Sequence, residues 1–330
     1  MRLCKKFFTL AASGSSDGPD YGEMPGVLRD FTVFSTCAMV IAVAIGMETS
    51  GMGPVADEQA VEIIAGDAGC GVLFVCDHAS PALPQGYGSL GLPAGEFSRH
   101  IAYDIGAGDV TRALAAHFGA PAVLSRFSRL LIDPNRGGDD PTLVMRLSDG
   151  SLIPGNARID EAEVEVRKAR FWQPYRQAIT LALEAGAATG RSPAIVSIHS
   201  FTPVWRGVAR PWELGLLWDL DPRLAQAFLD EITAAEPVLT IGDNEPYDGA
   251  LEGDTMHDVA TSRGLAHVLI ELRQDLIGTC EGAQAWAARI AGPLERALAK
   301  PEIGRIEFFG SRSQGRARLA RKPRLVRRTA

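Results

Sequence analysis

Short continuous apolar runs, each ending in polar side chains, recur along the middle of the chain. Gly71–Cys76 ends at Asp77-His78, Ala194–Ile198 at His199-Ser200, and His267–Ile270 at Glu271. Runs of this kind, bounded by residues such as Pro193 and Pro203, read as fully buried strands. Ala122–Leu124, Arg129–Asp133, Trp212–Trp218 and Val238–Gly242 predict further strands. Between them the period lengthens. Gly95–Gly119 predicts a helix with Tyr103, Ala107, Val110 and Leu114 on one stripe, and Asp160–Ala187 a helix capped by Asp160. Pro222–Ala234, Met256–Arg263 and Gly282–Leu298 complete the set. Strand and helix patterns that alternate in this way predict a single-domain α/β fold, a mixed but mostly parallel sheet with helices on both faces.

The flanks break the pattern. Residues 1–59 read as an N-terminal extension, 60–298 as the folded domain and 299–330 as a basic C-terminal tail. Phe31–Met47 is apolar but short of the about 20 residues a spanning helix needs, and no small-residue cleavage site follows it. The alternatives for this segment are an anchor or export signal, or an extension ahead of a true start near Met47 or Met52. Within the domain, Gly137–Arg158 is a long loop, of the kind that usually carries function or acts as a lid.

Composition narrows the partners. Hydrophobic residues make up 46% and charged residues 22% of the 330, enough for a substantial core. The net charge of −7 hides an asymmetry: residues 310–330 hold eight basic side chains and no acidic one. Without them, 25 basic residues face 40 acidic ones, so the body is strongly acidic. An acidic body argues against nucleic acid as the main partner. Five cysteines without a C-x-x-C pair argue against a disulfide framework and suit a reducing, cytoplasmic compartment. No membrane association is expected.

In a parallel sheet the strand ends at Asp77-His78, Asp133-x-Asn135-Arg136, His199-Ser200 and Glu271-x-Arg273 converge on one rim, where α/β sheets bind ligands. Two neutral imidazoles and a carboxylate are an ordinary set of ligands for a catalytic zinc. A second carboxylate can take a proton from water, and a guanidinium can hold a substrate carboxylate. Each residue also has a plainer reading: a hydrogen-bonded histidine, an ion pair of Glu271 with Arg273 or Arg136, a turn at Asn135-Arg136. His100 and Asp104, four apart, share a face of the predicted helix. His117 reads as structural, and His257 is open between the two.

The stretches VCDHAS (75–80), HIAYDIGA (100–107), SRLLIDPNR (128–136), LSDGSLIPGN (147–156), VSIHSFTPVWRGVARPWELGLLWD (196–219), IGDNEPYDG (241–249) and RGLAHVLIELRQDLI (263–277) carry a resemblance. The chain resembles the N-formylglutamate amidohydrolase family, which in turn resembles the zinc carboxypeptidases and their mixed eight-stranded sheet. The resemblance implies Zn2+, or another divalent metal, at His78 and His199. It implies Glu271 as general base and Arg136 with Asn135 as the substrate clamp. Arg210, Arg273 and Ser200 are further substrate-binding candidates. Three residues after His78 stands Pro81 where the carboxypeptidase motif has Glu. The third ligand is therefore expected from Asp104, with His100 as the alternate. The implied activity is hydrolysis of the amide bond of a small N-formyl or N-acyl amino acid such as N-formylglutamate. Carboxypeptidase-like cleavage of short peptides and non-catalytic binding of anionic metabolites are the rivals.

Overall fold

The computed structural model describes residues 60–313. The N-terminal extension and the end of the basic tail lie outside the described residues. The strands are β1 (Val61–Ile64), β2 (Val72–Cys76), β3 (Ala122–Ser125), β4 (Leu147–Ser148), β5 (Ser151–Leu152), β6 (Ala194–Phe201), β7 (Val204–Trp205), β8 (Val208–Ala209), β9 (Leu214–Leu217), β10 (Ile241–Asp243) and β11 (His267–Arg273). The α-helices are α1 (Ala107–Phe118), α2 (Glu161–Arg167), α3 (Gln173–Ala188), α4 (Arg223–Ala235), α5 (Thr255–Val259), α6 (Gln274–Ile277) and α7 (Cys280–Leu298). Among the described residues the main sheet has seven strands, in the order β1-β3-β2-β6-β11-β9-β10, where the family resemblance implied eight. It is mixed and mostly parallel: only β1 with β3 and β11 with β9 run antiparallel. The expected α/β architecture is the one found.

The fully apolar central strands are buried on both faces, as their composition requires. Phe74, Val196, Ile198, Val268 and Ile270 pack with Val110 and Leu114 of α1, Phe228 of α4 and Ile290 of α7. Their alternates Leu73, Val75, Ile195 and Leu269 pack on the other side against Tyr175 and Ile179 of α3 and Met256 of α5. In β6 and β11 this second face turns polar toward the carboxyl end, where Ser197, His199 and Glu271 succeed Ile195 and Leu269.

Three expectations are corrected. Arg129–Asp133 is not a strand: the run makes turns, with Leu131 N–H on the Ser128 carbonyl and Asp133 N–H on the Leu143 carbonyl. Its apolar side chains fill satellite clusters instead, Leu130 beside Ile101 and Ile153, and Leu131 and Ile132 beside Phe127 and Phe171. A buried loop and a buried strand are equally apolar, so the run alone could not separate them. Second, the single helix expected over Gly95–Gly119 is split. A 3-10 turn spans Ala94–Ser98, and α1 begins only at Ala107. Gly106 caps it at φ 81°, where a Cβ would strike the Ile277 carbonyl, so the chain turns sharply there. His100 and Asp104 therefore precede the helix and share no helical face. Third, the long loop Gly137–Arg158 holds the β4–β5 hairpin and a 3-10 turn at Pro154–Asn156.

One glycine sets how closely a loop can approach the sheet. Gly215 of β9 lies opposite Glu271. A Cβ there would strike the Glu245 carbonyl and sit 3.3 Å from the Glu271 Cβ. The loop after β10 can bring the Glu245 carbonyl against β9 only because that position has no side chain. Gly215→Ala is expected to destabilise the fold by about 1–3 kcal/mol, the usual cost of overpacking. Urea denaturation reads this directly, and an unchanged midpoint would mean that the loop yields without cost.

Candidate active site

The carboxyl ends of β2, β6 and β11 are neighbours in the sheet. Parallel register places Glu271 directly beside His199. The chain leaving β2 delivers Asp77 and His78 to the same rim, and the His78 carbonyl accepts the Asp104 N–H at 2.9 Å. That bond brings Asp104 in from the segment ahead of α1. Ser200 stitches the same segment to β6: its N–H lies 3.3 Å from Asp104 Oδ2, and its hydroxyl donates to the Ile105 carbonyl at 2.9 Å.

His78, Asp104 and His199 thus meet in a buried cluster, their ligand atoms all within 4.8 Å of one another. The two rings lie edge to face with centroids 5.0 Å apart. Each ring is oriented by a second carboxylate. His78 Nε2 is 2.7 Å from Asp133 Oδ1, and His199 Nε2 is 3.0 Å from Asp77 Oδ2. These acceptors assign the Nε2 nitrogens as N–H donors. Both Nδ1 atoms then face Asp104 Oδ2, at 3.3 Å for His78 and 2.7 Å for His199. Two nitrogen lone pairs aimed at a carboxylate oxygen repel unless a proton or a metal cation lies among them. Imidazoles backed by carboxylates are the usual outer arrangement of metal-binding histidines. The donor set fits a divalent metal.

The same crowding sets the proton affinities of the groups around it. Burial alone would depress His199, but hydrogen bonds and charge from Asp104 and Asp77 outweigh it and hold His199 well above its ordinary pKa. Burial would raise Asp104, yet the charge of His78 and the hydrogen bond from His199 hold it below the carboxylate range. Asp133 is likewise held far down against burial, by Arg129 and His78. Glu271 behaves oppositely. Burial, with the Asp104 charge adding, pushes it up to about 8 against the pull of His199, Arg129 and Arg210. Its Oε2 is buried and has no hydrogen-bond partner among the described residues.

The candidate clamp residues sit around this centre. Asn135 is buried; its N–H donates to Asp133 Oδ1 at 2.9 Å, and its amide oxygen accepts the Thr255 N–H at 3.0 Å. Arg136 donates to the Asn135 carbonyl at 2.8 Å and to the Thr142 hydroxyl at 3.3 Å. Arg210 lies over the rings of Phe201, Trp205 and Tyr247 and donates to the Tyr247 hydroxyl at 3.0 Å. Neither Arg136 nor Arg210 forms an ion pair among the described residues, whereas Arg273 is paired with Asp275 at 2.8 Å. His100 stands outside the three-residue cluster, half-buried, against Trp205 and 3.5 Å from Asp149. His257 accepts the Gly253 N–H, and His117 lies edge to face with Phe118 near the end of α1.

Four residues of the cluster were given no role from sequence. Asp77 and Asp133 stand in the right strings, but nothing local marks them as partners of histidines 122 and 55 positions away. Arg129 donates to Asp133 Oδ2 at 2.7 Å, with its other terminal nitrogen 3.3 Å from His78 Nδ1. It was hidden in a run read as a strand. Tyr247 reaches the rim from the loop after β10. Burial raises its phenol, and the nearby Glu271 carboxylate raises it further.

The N-formylglutamate amidohydrolase family model matches residues 70–278. No curated protein matches. Among solved structures, a gene product from Agrobacterium tumefaciens is similar at 39% identity and a TM-score of 0.70, over 75% of this chain and 98% of that one. N-formylglutamate amidohydrolase from Ralstonia eutropha JMP134 is similar in fold, with a TM-score of 0.54 at 20% identity over 72% of this chain and 97% of that one. This chain belongs to the N-formylglutamate amidohydrolase family and is a hydrolase of amide bonds.

Proposed function

We propose that the chain hydrolyses the amide bond of N-formyl or N-acyl amino acids with an acidic side chain, N-formylglutamate first among them. His78, Asp104 and His199 would hold a divalent metal, zinc by the donor set. The observation that carries this reading is the convergence of two carboxylate-backed Nδ1 atoms on Asp104 Oδ2. When bound, such a cation supplies Lewis acidity toward a carbonyl oxygen and toward water.

The remaining chemistry belongs to the side chains. Glu271, adjacent to His199 and with one buried oxygen that has no partner among the described residues, takes the proton of the attacking water. It then passes a proton to the leaving amine. A nearby cation favours its carboxylate form, bringing a group pushed up to about 8 toward the range of a working base. Arg129, fixed by Asp133, points N–H donors at the cluster and stabilises negative charge that develops there. Arg136 with Asn135, and Arg210 with Tyr247, supply cations for the substrate carboxylates. Ser200 holds Asp104 in place. We assign this activity to a domain of residues 60–298 acting on a small molecule in the cytoplasm. Among the described residues Cys70 and Cys76 form no disulfide, and no described helix is long and apolar enough to cross a membrane.

Purified protein should carry stoichiometric zinc by elemental analysis, and His199→Ala should lose it. Glu271→Gln should keep the metal while kcat for N-formylglutamate falls about 10²–10⁴-fold, as for a lost general base. A protein that never retains metal sinks this reading, and full turnover in Glu271→Gln removes that residue from its role.

The clamp has its own test. Arg210→Ala and Arg136→Ala are each expected to raise KM for N-formylglutamate about 10–100-fold, the loss of one charge-assisted pair. For a neutral N-formyl amino acid one of the two losses should shrink, that of the arginine facing the side-chain carboxylate, because that anion is absent. An unmoved KM for N-formylglutamate in both variants would place the clamp elsewhere.

A further inference from the structure

Residues 299–313 follow α7 and lie beyond the stretch matched by the family model. They do not trail away from the body. Arg223 at the start of α4, ion-paired with Asp221, donates to the carbonyls of Glu302, Arg305 and Gly264 and lies 5.2 Å from the Phe309 ring. The segment then runs to Ser311, Arg312 and Ser313, of which both serines are buried.

Arg312 makes a dense set of bonds. Its N–H and its Nε both donate to Asp219 Oδ1 at 3.0 Å, and Asp219 is buried. Its Nη2 donates to the Trp218 carbonyl at 2.9 Å and to Asp248 Oδ1 at 2.7 Å, with Nη1 3.4 Å from Asp248 Oδ2. Asp248 follows Tyr247 directly in the loop after β10. The start of that loop is tied down separately. Asn244 at φ 53° donates its N–H to the Leu216 carbonyl, and its side-chain oxygen accepts from Trp218 N and Gly249 N. Tyr247 sits between these anchors, with its hydroxyl on Arg210.

We propose that Arg312 is a positioning residue for the active site. It is a strap from the C-terminal segment that fixes Asp248, and through it the Tyr247–Arg210 pair that meets the substrate. The inference rests on the reading of Tyr247 and Arg210 as the substrate side of the site. Binding depends on the strap because both residues must be held before substrate arrives, and an unheld loop has to be ordered at the cost of affinity. The fork of an arginine matches these acceptors, since it spans Asp219, the Trp218 carbonyl and Asp248 at once, which a lysine cannot do. Glu271 and the histidines do not touch the strap, so the chemical step is left alone.

The test uses the full chain and the variants Arg312→Ala, Arg312→Lys, Asp248→Ala, the Arg312→Ala/Asp248→Ala double variant and Tyr247→Phe. Asp248→Ala is the discriminating single change, because Arg312→Ala also strands the buried Asp219. Arg312→Ala and Asp248→Ala should each raise KM for N-formylglutamate about 5–20-fold with kcat nearly unchanged, and the double variant should add little to either. Arg312→Lys should recover only part of the loss. Hydrogen exchange at the amides of Asn244 and Gly249, neither of which bonds to Asp248, should quicken in both alanine variants. Unaltered exchange in Asp248→Ala, or additive effects in the double variant, overturns the strap. So does quicker exchange with KM unmoved while Tyr247→Phe raises KM. If Tyr247→Phe itself leaves KM unmoved, the substrate-side reading has failed and takes the inference with it.

Discussion

The structure turns on a repulsion that it does not remove. Three aspartates and a glutamate are gathered beneath the rim of the sheet, all of them buried, with two imidazoles between them. Unpaired buried charge is expensive, and removing one partner of such a set strands the others. Arg129 offsets part of the negative charge by donating to Asp133 and lying near Asp104. The remainder is met by protons on the histidine side or, in the proposed function, by a divalent cation. An anionic, prearranged pocket of this kind attracts a cation because the fold has already opposed the mutual repulsion of the carboxylates.

The sheet makes this gathering possible. Three parallel strands in the middle of the order end at one rim, and their register puts His199 and Glu271 side by side. The period of two along β6 and β11 then decides what each side chain meets. The face that packs on α3 and α5 with Ile195 and Leu269 carries His199 and Glu271 at its upper end. A one-residue slip would exchange His199 for Ile198 or Ser200 and dismantle the cluster. The burial of eight consecutive residues in β6 holds the register, so the core that stabilises the fold also aims the site.

Legibility in the sequence follows the same physics. The strands ending at His78, His199 and Glu271 could be read because a fully buried strand must be continuously apolar and must end where polar groups reach solvent or a ligand. Asp104 was reached through its spacing from His100 on an expected helix. In the fold it arrives through a backbone bond to His78, and Gly106 separates both residues from the helix. Leu130–Ile132 misled because a buried loop needs the same side chains as a strand, and Arg129 was obscured with it. Asp77, Asp133 and Tyr247 depend on contacts between distant segments, which no local period records. The substrate rim is the least legible part, since turns and loops assemble it rather than the sheet.

One residue links these separate segments. Arg176 of α3 is buried and donates to the carbonyls of Pro134, Arg136, Gly253 and Asp254, and it pairs with Asp258 at 2.7 Å. Its guanidinium lies over the ring of Trp172, whose indole N–H donates to the Arg136 carbonyl. The loop carrying Asp133 and Asn135 is thereby fastened to the loop that leads into α5. From the start of α5 the Thr255 hydroxyl reaches Asp77 Oδ1, and its N–H reaches Asn135. The carboxylate behind His78 and the carboxylate behind His199 are thus set by one cation acting on carbonyls. A guanidinium suits the position because its five donors can serve several acceptors at once. The geometry of the cluster is therefore a property of two loops clamped together as much as of the strands that carry the histidines.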